Sequence, residues 1–341
     1  MPVKSAMIIS PLPLKPVKCG MQNTIDLLYK YLKKKNYKIV FFQINTENEI
    51  DPVLNLKFRP SIIKNIEKKI FLNNINLVFI NTTKILSFYE DLFFNKNFYF
   101  KTVLVCHDLY HFRKKYFKKL EIKDKTPLTL KKESNVLKKV DYIIDFSQDE
   151  EKFMKKINIG KKKLIKTLTP MNKFKRVIST KKKQHDLLYI SSNWHQNKVN
   201  INSFLKRINY KKNNFKLLIV GNLNFNNKFK TTIKVKRYSA KNIKTSKIGI
   251  AIMKIGTGRK TKIFEMLAYG LPTLTNIDLT NYGLKNNFHY KLVTKKNSVS
   301  KEINSVLKDN NLRKKLSINS FNWSRNNTYY EKAFKPMNKI L

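Results

Sequence analysis

The chain has 341 residues, 42% of them hydrophobic, which suits two domains of ordinary size with sizeable cores. No run reaches the roughly 18 apolar residues of a membrane-crossing helix, and Pro11, Pro13 and Pro16 break the one N-terminal candidate for a secretory leader. The net charge of +49 is carried by 63 Lys and only 8 Arg, spread along the whole chain, and the scarcity of Arg, the bidentate reader of phosphates and bases, argues against nucleic acid as a partner.

In chain order, residues 7–10 read as a short first strand. Gly20 opens a helical stretch in which Ile25, Leu28, Tyr29 and Leu32 share one apolar face. Residues 37–42 read as the next strand. A strand from Lys101 runs through Cys106 into His107-Asp108. A histidine at the carboxyl end of a parallel strand lies where α/β folds bind ligands; the alternative is a strand-end histidine bonded to backbone. Residues 141–147 form a further strand. Cys19 and Cys106 have neither metal nor disulfide spacing, which fits a reducing cytoplasm, and Cys106 reads as a small core residue. After Thr169-Pro170 the chain turns polar and basic as far as Asp186. A strand then opens at Leu187 and leads into a loop holding His195, Asn197 and Lys198. Strand-like and helical runs alternate through both halves, the pattern of a parallel α/β architecture.

Residues 248–276 carry the most information. Residues 248–253 are an apolar run of strand length. Gly256 and Gly258 then let the backbone turn tightly. A helix from Thr261 to Tyr269 stops at Gly270, with Pro272 beyond it. A second apolar run completes a βαβ unit. Arg259, Lys260 and Lys262 crowd the start of this helix. That end already carries about half a positive charge and unpaired N–H groups, and a phosphate would resolve the conflict. Glu265, one turn further on, is the only Asp or Glu between Asp186 and Asp278 and is suited to accept hydrogen bonds from sugar hydroxyls. On the residues alone, a phosphate site and a solvated surface helix stand as equal readings. Other chemistry is missing: there is no Asp-x-Asp, no H-E-x-x-H, no Walker A pattern, no third glycine of G-x-G-x-x-G and no serine nucleophile elbow.

The pattern Gly256-Thr257-Gly258-x-x-x-Lys262-x-x-Glu265-x-x-Ala268-x-Gly270-x-Pro272 resembles the donor-site signature of GT-B glycosyltransferases, in particular retaining family 4 and its relatives. The resemblance implies an α/β fold of two Rossmann-like domains with parallel sheets facing across a cleft. It implies an acceptor-side domain over 1–170, a linker over 171–186, a nucleotide-sugar domain over 187–321 and a C-terminal helix, 322–341, crossing back to the first domain. By position, Gly256, Gly258 and Lys262 face the donor diphosphate, with Thr257 and Arg259 in the same loop, and Glu265 holds the ribose. Thr257 stands where many members carry a second Glu near the donor sugar. Asn197 matches the family's first donor-domain loop, Lys198 offers a second phosphate contact, and Ser192 and Gln196 replace its usual Gly and Pro. His107 matches a histidine at the rim of the family's active site.

The implied activity is metal-independent, retaining transfer of a sugar from a nucleotide sugar to a glycan or lipid-linked acceptor, in surface polysaccharide or lipid-linked glycan synthesis, with no cofactor. The expected location is cytoplasmic, peripheral on the inner face of a membrane, because a lysine-rich surface attracts anionic headgroups. The rivals are a GT-B-type epimerase or hydrolase, an inactive transferase and a basic polyanion-binding protein.

Overall fold

The computed structural model describes residues 4–17, 19–44, 58–95, 97–111, 114, 118, 128–176, 184–191, 195–208, 214–221, 233–236, 240–254, 259–294 and 298–341. The chain forms two compact units: Met1–Pro170 with Thr257–Arg259 and Ala333–Leu341, and Met171–Gly256 with Lys260–Lys332.

In the first unit, β1 (Ser5–Ser10), β2 (Lys38–Gln43), β3 (Leu77–Asn81), β4 (Lys101–Val105), β5 (Tyr142–Asp145) and β6 (Leu164–Lys166) form one sheet in the order β2-β1-β3-β4-β5-β6, parallel throughout. Every residue of β1 is buried, as expected of a parallel strand covered on both faces. Side chains alternate along a strand. Met7 and Ile9 therefore enter a cluster with Val78, Ile80, Leu104 and the helix residues Ile62, Ile66 and Ile70, while Ala6 and Ile8 are buried on the other face. The helix Gly20–Lys34 starts where the sequence places it, and Ile25, Leu28 and Leu32 are fully buried.

The first unit also takes in the chain end. Phe334 packs on Tyr31 at 5.5 Å between ring centroids, Tyr31 donates to Asn338 Oδ1 at 2.8 Å, and Lys339 Nζ donates to the Leu164 carbonyl at 3.1 Å. The sequence reading starts this return at 322. That position lies inside one unbroken helix, Asn310–Asn327, of the second unit, and the segment taken in by the first unit begins at Ala333. At the expected linker, Met171 donates to the Thr328 carbonyl at 2.7 Å and Phe174 stacks on Tyr269 at 4.0 Å, so these residues are held within the second unit.

In the second unit, β7 (His185–Ile190), β8 (Leu217–Val220), β9 (Ile233–Lys236), β10 (Ser246–Ala251), β11 (Thr273–Thr275) and β12 (Lys291–Leu292) form a parallel sheet in the order β12-β11-β10-β7-β8-β9. Apolar clusters cover both faces, one holding Leu187, Ile201 and Ile303 and the other Leu188, Phe264 and Leu267. The helix Thr261–Ala268 packs hard on β10, because a Cβ on Gly249 would lie 2.4 Å from Met266 Sδ. Strand order reverses between β1 and β3 in the first sheet and between β7 and β10 in the second. These switch points, at the carboxyl ends of the strands, are where such sheets bind ligands. Among the described residues, no helix is long and apolar enough to cross a membrane.

The stop of the Thr261–Ala268 helix depends on Gly270, which has φ 67°. A Cβ there would meet Arg176 Cγ at 2.9 Å and the Ser317 carbonyl oxygen at 3.0 Å. Gly270→Ala should therefore lower unfolding stability by about 1–2 kcal/mol from the left-handed backbone alone. A urea titration checks this, and an unchanged midpoint would mean that the glycine terminates nothing.

Candidate functional site

The second unit's switch point is built from the exits of β7 and β10. After β10 the backbone is bracketed by two asparagines. Asn276 accepts from the Met253 amide at 2.9 Å and donates to the Met253 carbonyl at 2.7 Å, and Asn200 accepts from the Lys254 amide at 2.9 Å. These bonds fix the backbone as it leaves β10. In the helix Thr261–Ala268 that follows, no capping hydrogen bond comes from the side chain of Lys260, its N-cap, and no acidic residue sits in the first turn. With no acid in that turn, the start of this helix keeps its positive character.

Lys262 is half-buried and donates to Asn197 Oδ1 at 2.5 Å, which joins the β10 exit to the helix His195–Arg207 that follows β7. An amide oxygen does not neutralise an ammonium, so removal from water holds Lys262 down at about 8. Burial pushes Glu265, one turn on, up to about 8. Near neutral pH Lys262 is therefore an ammonium and Glu265 an uncharged carboxyl. Lys198 is half-buried on the same helix as Asn197. Gly256, Thr257, Gly258 and Ser192 lie outside the described residues. Among the described residues, no group of three or more His, Cys, Asp and Glu could hold a metal ion.

Arg259 belongs with the first unit. Its guanidinium lies 4.6 Å from the Phe146 ring centroid and bonds to His107 Nδ1 and Thr24 Oγ1. Burial lowers it to about 10, against the pull of Glu150 and other nearby acids. His107, just beyond β4, is 6% exposed, and burial reinforced by Arg259 holds its pKa well below the usual imidazole range. It is therefore neutral near pH 7. Its Nε2 lies 3.0 Å from Asn81 Oδ1 at the end of β3, so its side-chain partners are an amide and a guanidinium.

Several residues of the first unit escape sequence reasoning. Thr82, a β-branched residue, is held at φ 94° directly after Asn81, a conformation that costs of order 1–3 kcal/mol. Glu133 and Glu150, each 1% exposed, act on backbone: Glu150 Oε1 accepts from the Leu109 amide at 2.8 Å, and Glu133 accepts from the Tyr110 amide at 2.7 Å and the His111 amide at 2.8 Å. They fix the chain just past His107. Neither has a local signature, since a buried acid and a solvated one look alike on a helix. A separate hollow of about 440 Å³ is lined by Glu151, Lys155, Lys166 and Lys339 among others, and it holds none of the sequence-predicted residues. Two of its lysines already pair with Glu151 at 2.6 Å.

No protein-family model matches the chain, and no curated protein matches it in sequence. Solved structures match its fold. A sucrose-phosphate synthase from Thermosynechococcus elongatus superposes with a TM-score of 0.79, covering 99% of this chain and 98% of that one at 12% identity. Anabaena HepE, solved in complex with UDP-glucose, gives 0.70 over 98% and 99% at 11% identity. A glycosyltransferase from Rickettsia africae gives 0.65 over 100% and 98% at 14% identity. The chain has the GT-B fold, two Rossmann-like units each built on a parallel sheet.

Proposed function

We propose that this chain is a glycosyltransferase that moves a sugar from a nucleoside-diphosphate sugar to a glycan or lipid-linked acceptor. The observation that carries the reading is Lys262, an ammonium partly withdrawn from water at the open end of a helix, at a topological switch point, with an amide oxygen as its partner. A diphosphate supplies the missing negative charge. Glu265 accepts hydrogen bonds from the ribose. Lys198, with Gly256, Thr257 and Gly258, completes the donor site by resemblance, and a UDP-sugar is the first donor to try because HepE is solved with one.

In the reaction the bond from the anomeric carbon to the diphosphate oxygen breaks, and the electron pair leaves with the diphosphate. Lys262 and the helix end stabilise that charge where it develops, so the protein's own positive charge does the work of a metal. The acceptor hydroxyl attacks the same face, its proton passes to the departing diphosphate oxygen, and configuration is retained. No strong general base is then needed, and neutral His107 positions the donor sugar or the acceptor by hydrogen bonding.

UDP, GDP or ADP should raise the melting temperature of the wild type, and the responding nucleotide's sugar should be consumed only when an acceptor is present. Lys262→Ala should cut kcat by about 10²–10³-fold, and Glu265→Ala should weaken nucleotide binding by about 10–100-fold, both with the melting temperature of the free protein retained. Donor consumption without acceptor would indicate a hydrolase or epimerase instead. Salt-sensitive binding to unrelated polyanions with no nucleotide response would indicate a basic binding protein.

Affinity should also depend on pH. As pH rises through about 8, Lys262 loses its charge and Glu265 gains one. Both changes reduce the positive field at the diphosphate, so calorimetric affinity should fall across that range. Lys262→Arg, which stays charged, should flatten the decline, and a pH-independent affinity in the wild type would remove Lys262 from the phosphate site.

The same reading includes a membrane surface as partner. Among the described residues, the most exposed large hydrophobics are Tyr99 at 97%, Phe71 at 79% and Leu72 at 64%. Asn74 N donates to the Phe71 carbonyl, and Lys101 N to the Asn76 carbonyl. These bonds belong to the segments that lead into β3 and β4, so all three apolar residues lie toward the N-terminal ends of those strands, in stretches that also carry Lys69 and Lys101. Aromatic tips among lysines complement an anionic bilayer. Vesicles rich in phosphatidylglycerol should co-float the protein while phosphatidylcholine vesicles should not, and Phe71→Ser with Tyr99→Ser should weaken this several-fold. Flotation indifferent to both substitutions would discard this end of the strands.

A further inference from the structure

The ring of His107 meets two partners whose hydrogen-bonding capacities differ. On one side Asn81 Oδ1 lies 3.0 Å from Nε2. The Asn81 amide cannot turn over freely, because its Nδ2 donates to the Ile9 carbonyl at 2.8 Å. Reversing it would set two carbonyl oxygens against each other. Its oxygen therefore faces the imidazole, and a carbonyl oxygen only accepts, so Nε2 carries the proton. On the other side the Arg259 guanidinium meets Nδ1. A guanidinium only donates, so Nδ1 presents its lone pair. Two separate neighbours demand the same arrangement of one proton.

We propose that Asn81 is a positioning residue that holds His107 as the Nε2–H tautomer and so reserves the Nδ1 lone pair as the ring's acceptor. That lone pair accepts from Arg259 in this structure. For it to serve an acceptor hydroxyl, the substrate has to displace the guanidinium, a step that rests on the function proposed above. The fold holds the pair in place through strand register. Asn81 ends β3 opposite Val105 of β4, and Ile80 lies opposite Ile9 of β1, so the amide is fastened between the two strands it bridges. Asn81 is fully buried, and Phe146 stacks against the imidazole with the rings 21° apart. Glu133 and Glu150 hold the backbone beyond the histidine. An outer partner that fixes which imidazole nitrogen is protonated is a common device where a histidine works through one nitrogen.

The test is a nitrogen-15 NMR spectrum of the full chain labelled at histidine side chains, with the His107 signals identified by their loss in His107→Gln. The wild type should show Nε2 protonated and Nδ1 bare. Asn81→Leu should mix or invert the tautomers and lower kcat by about tenfold or more, while the thermal shift given by nucleotide stays unchanged. Asn81→Asp should keep the Nε2 proton and raise the pH at which His107 titrates, because a carboxylate favours the charged ring. It also serves as the test if the leucine variant fails to fold. A wild type with the proton on Nδ1 overturns the proposal. So does an Asn81→Leu protein with an unaltered tautomer, or an Asn81→Asp protein with an unmoved titration. If no sugar transfer is found in the wild type, the function fails, yet the spectrum still decides the tautomer.

Discussion

An ammonium drawn partly out of water at the positive end of a helix is the constraint on which the second unit turns. Lys262 has given up hydration, its described partner is an amide dipole, and the helix behind it adds to the repulsion. Left to itself, such an arrangement costs stability. It persists because the surroundings are over-determined. Gly249 lets the helix lie close against β10, Gly270 stops it, and Asn200 and Asn276 fasten the strand exit that leads into it. A scaffold this firm can hold a cation in place without a counter-charge, which is the preorganisation that the proposed function asks of it.

The first unit treats charge differently. Asp26 pairs with Lys15 and Lys30, but three other buried carboxyl groups are turned onto backbone. Glu133 and Glu150 spend their oxygens on the amides of Leu109, Tyr110 and His111, and Asp145, pushed up to about 6 by burial, accepts from the Ser147 amide at 3.0 Å. These acids build the strand-end loops around a neutral histidine. The strained Thr82 belongs to the same rim. Strain and buried charge thus gather at the carboxyl ends of β3, β4 and β5, the end of a parallel sheet that serves ligands.

Much of the fold was legible in order and kind. The apolar runs near residues 7, 37, 101, 141, 187 and 248 are all strands, and the helices opening at Gly20 and Thr261 begin where their patterns predict. Buried parallel strands advertise themselves as unbroken apolar runs, and the glycine that ends a helix has a steric reason to be there. The boundaries were less legible. Nothing in the residues near 322 marks whether the chain has left the second unit, because the helix Asn310–Asn327 continues through them and is held by tertiary contacts. At the candidate site, Lys262 and Glu265 stood out by type and spacing. Asn81, Asn200 and Asn276 did not, since an asparagine in a chain rich in asparagine carries no local mark of the backbone it will bracket.

The sequence by itself determined a βαβ unit with a glycine-rich turn, a basic helix start and a single acid one turn on. Those features depend on spacing along one segment, and spacing is what a sequence states. Only the tertiary structure decided that Asn197 would meet Lys262 across 65 positions, and that Asn81 would face His107 across 26. It also decided that two glutamates would serve backbone rather than substrate. Each of these rests on which strands lie side by side and how far each is shifted, and hydrogen-bond register between distant segments has no counterpart in the order of residues along the chain.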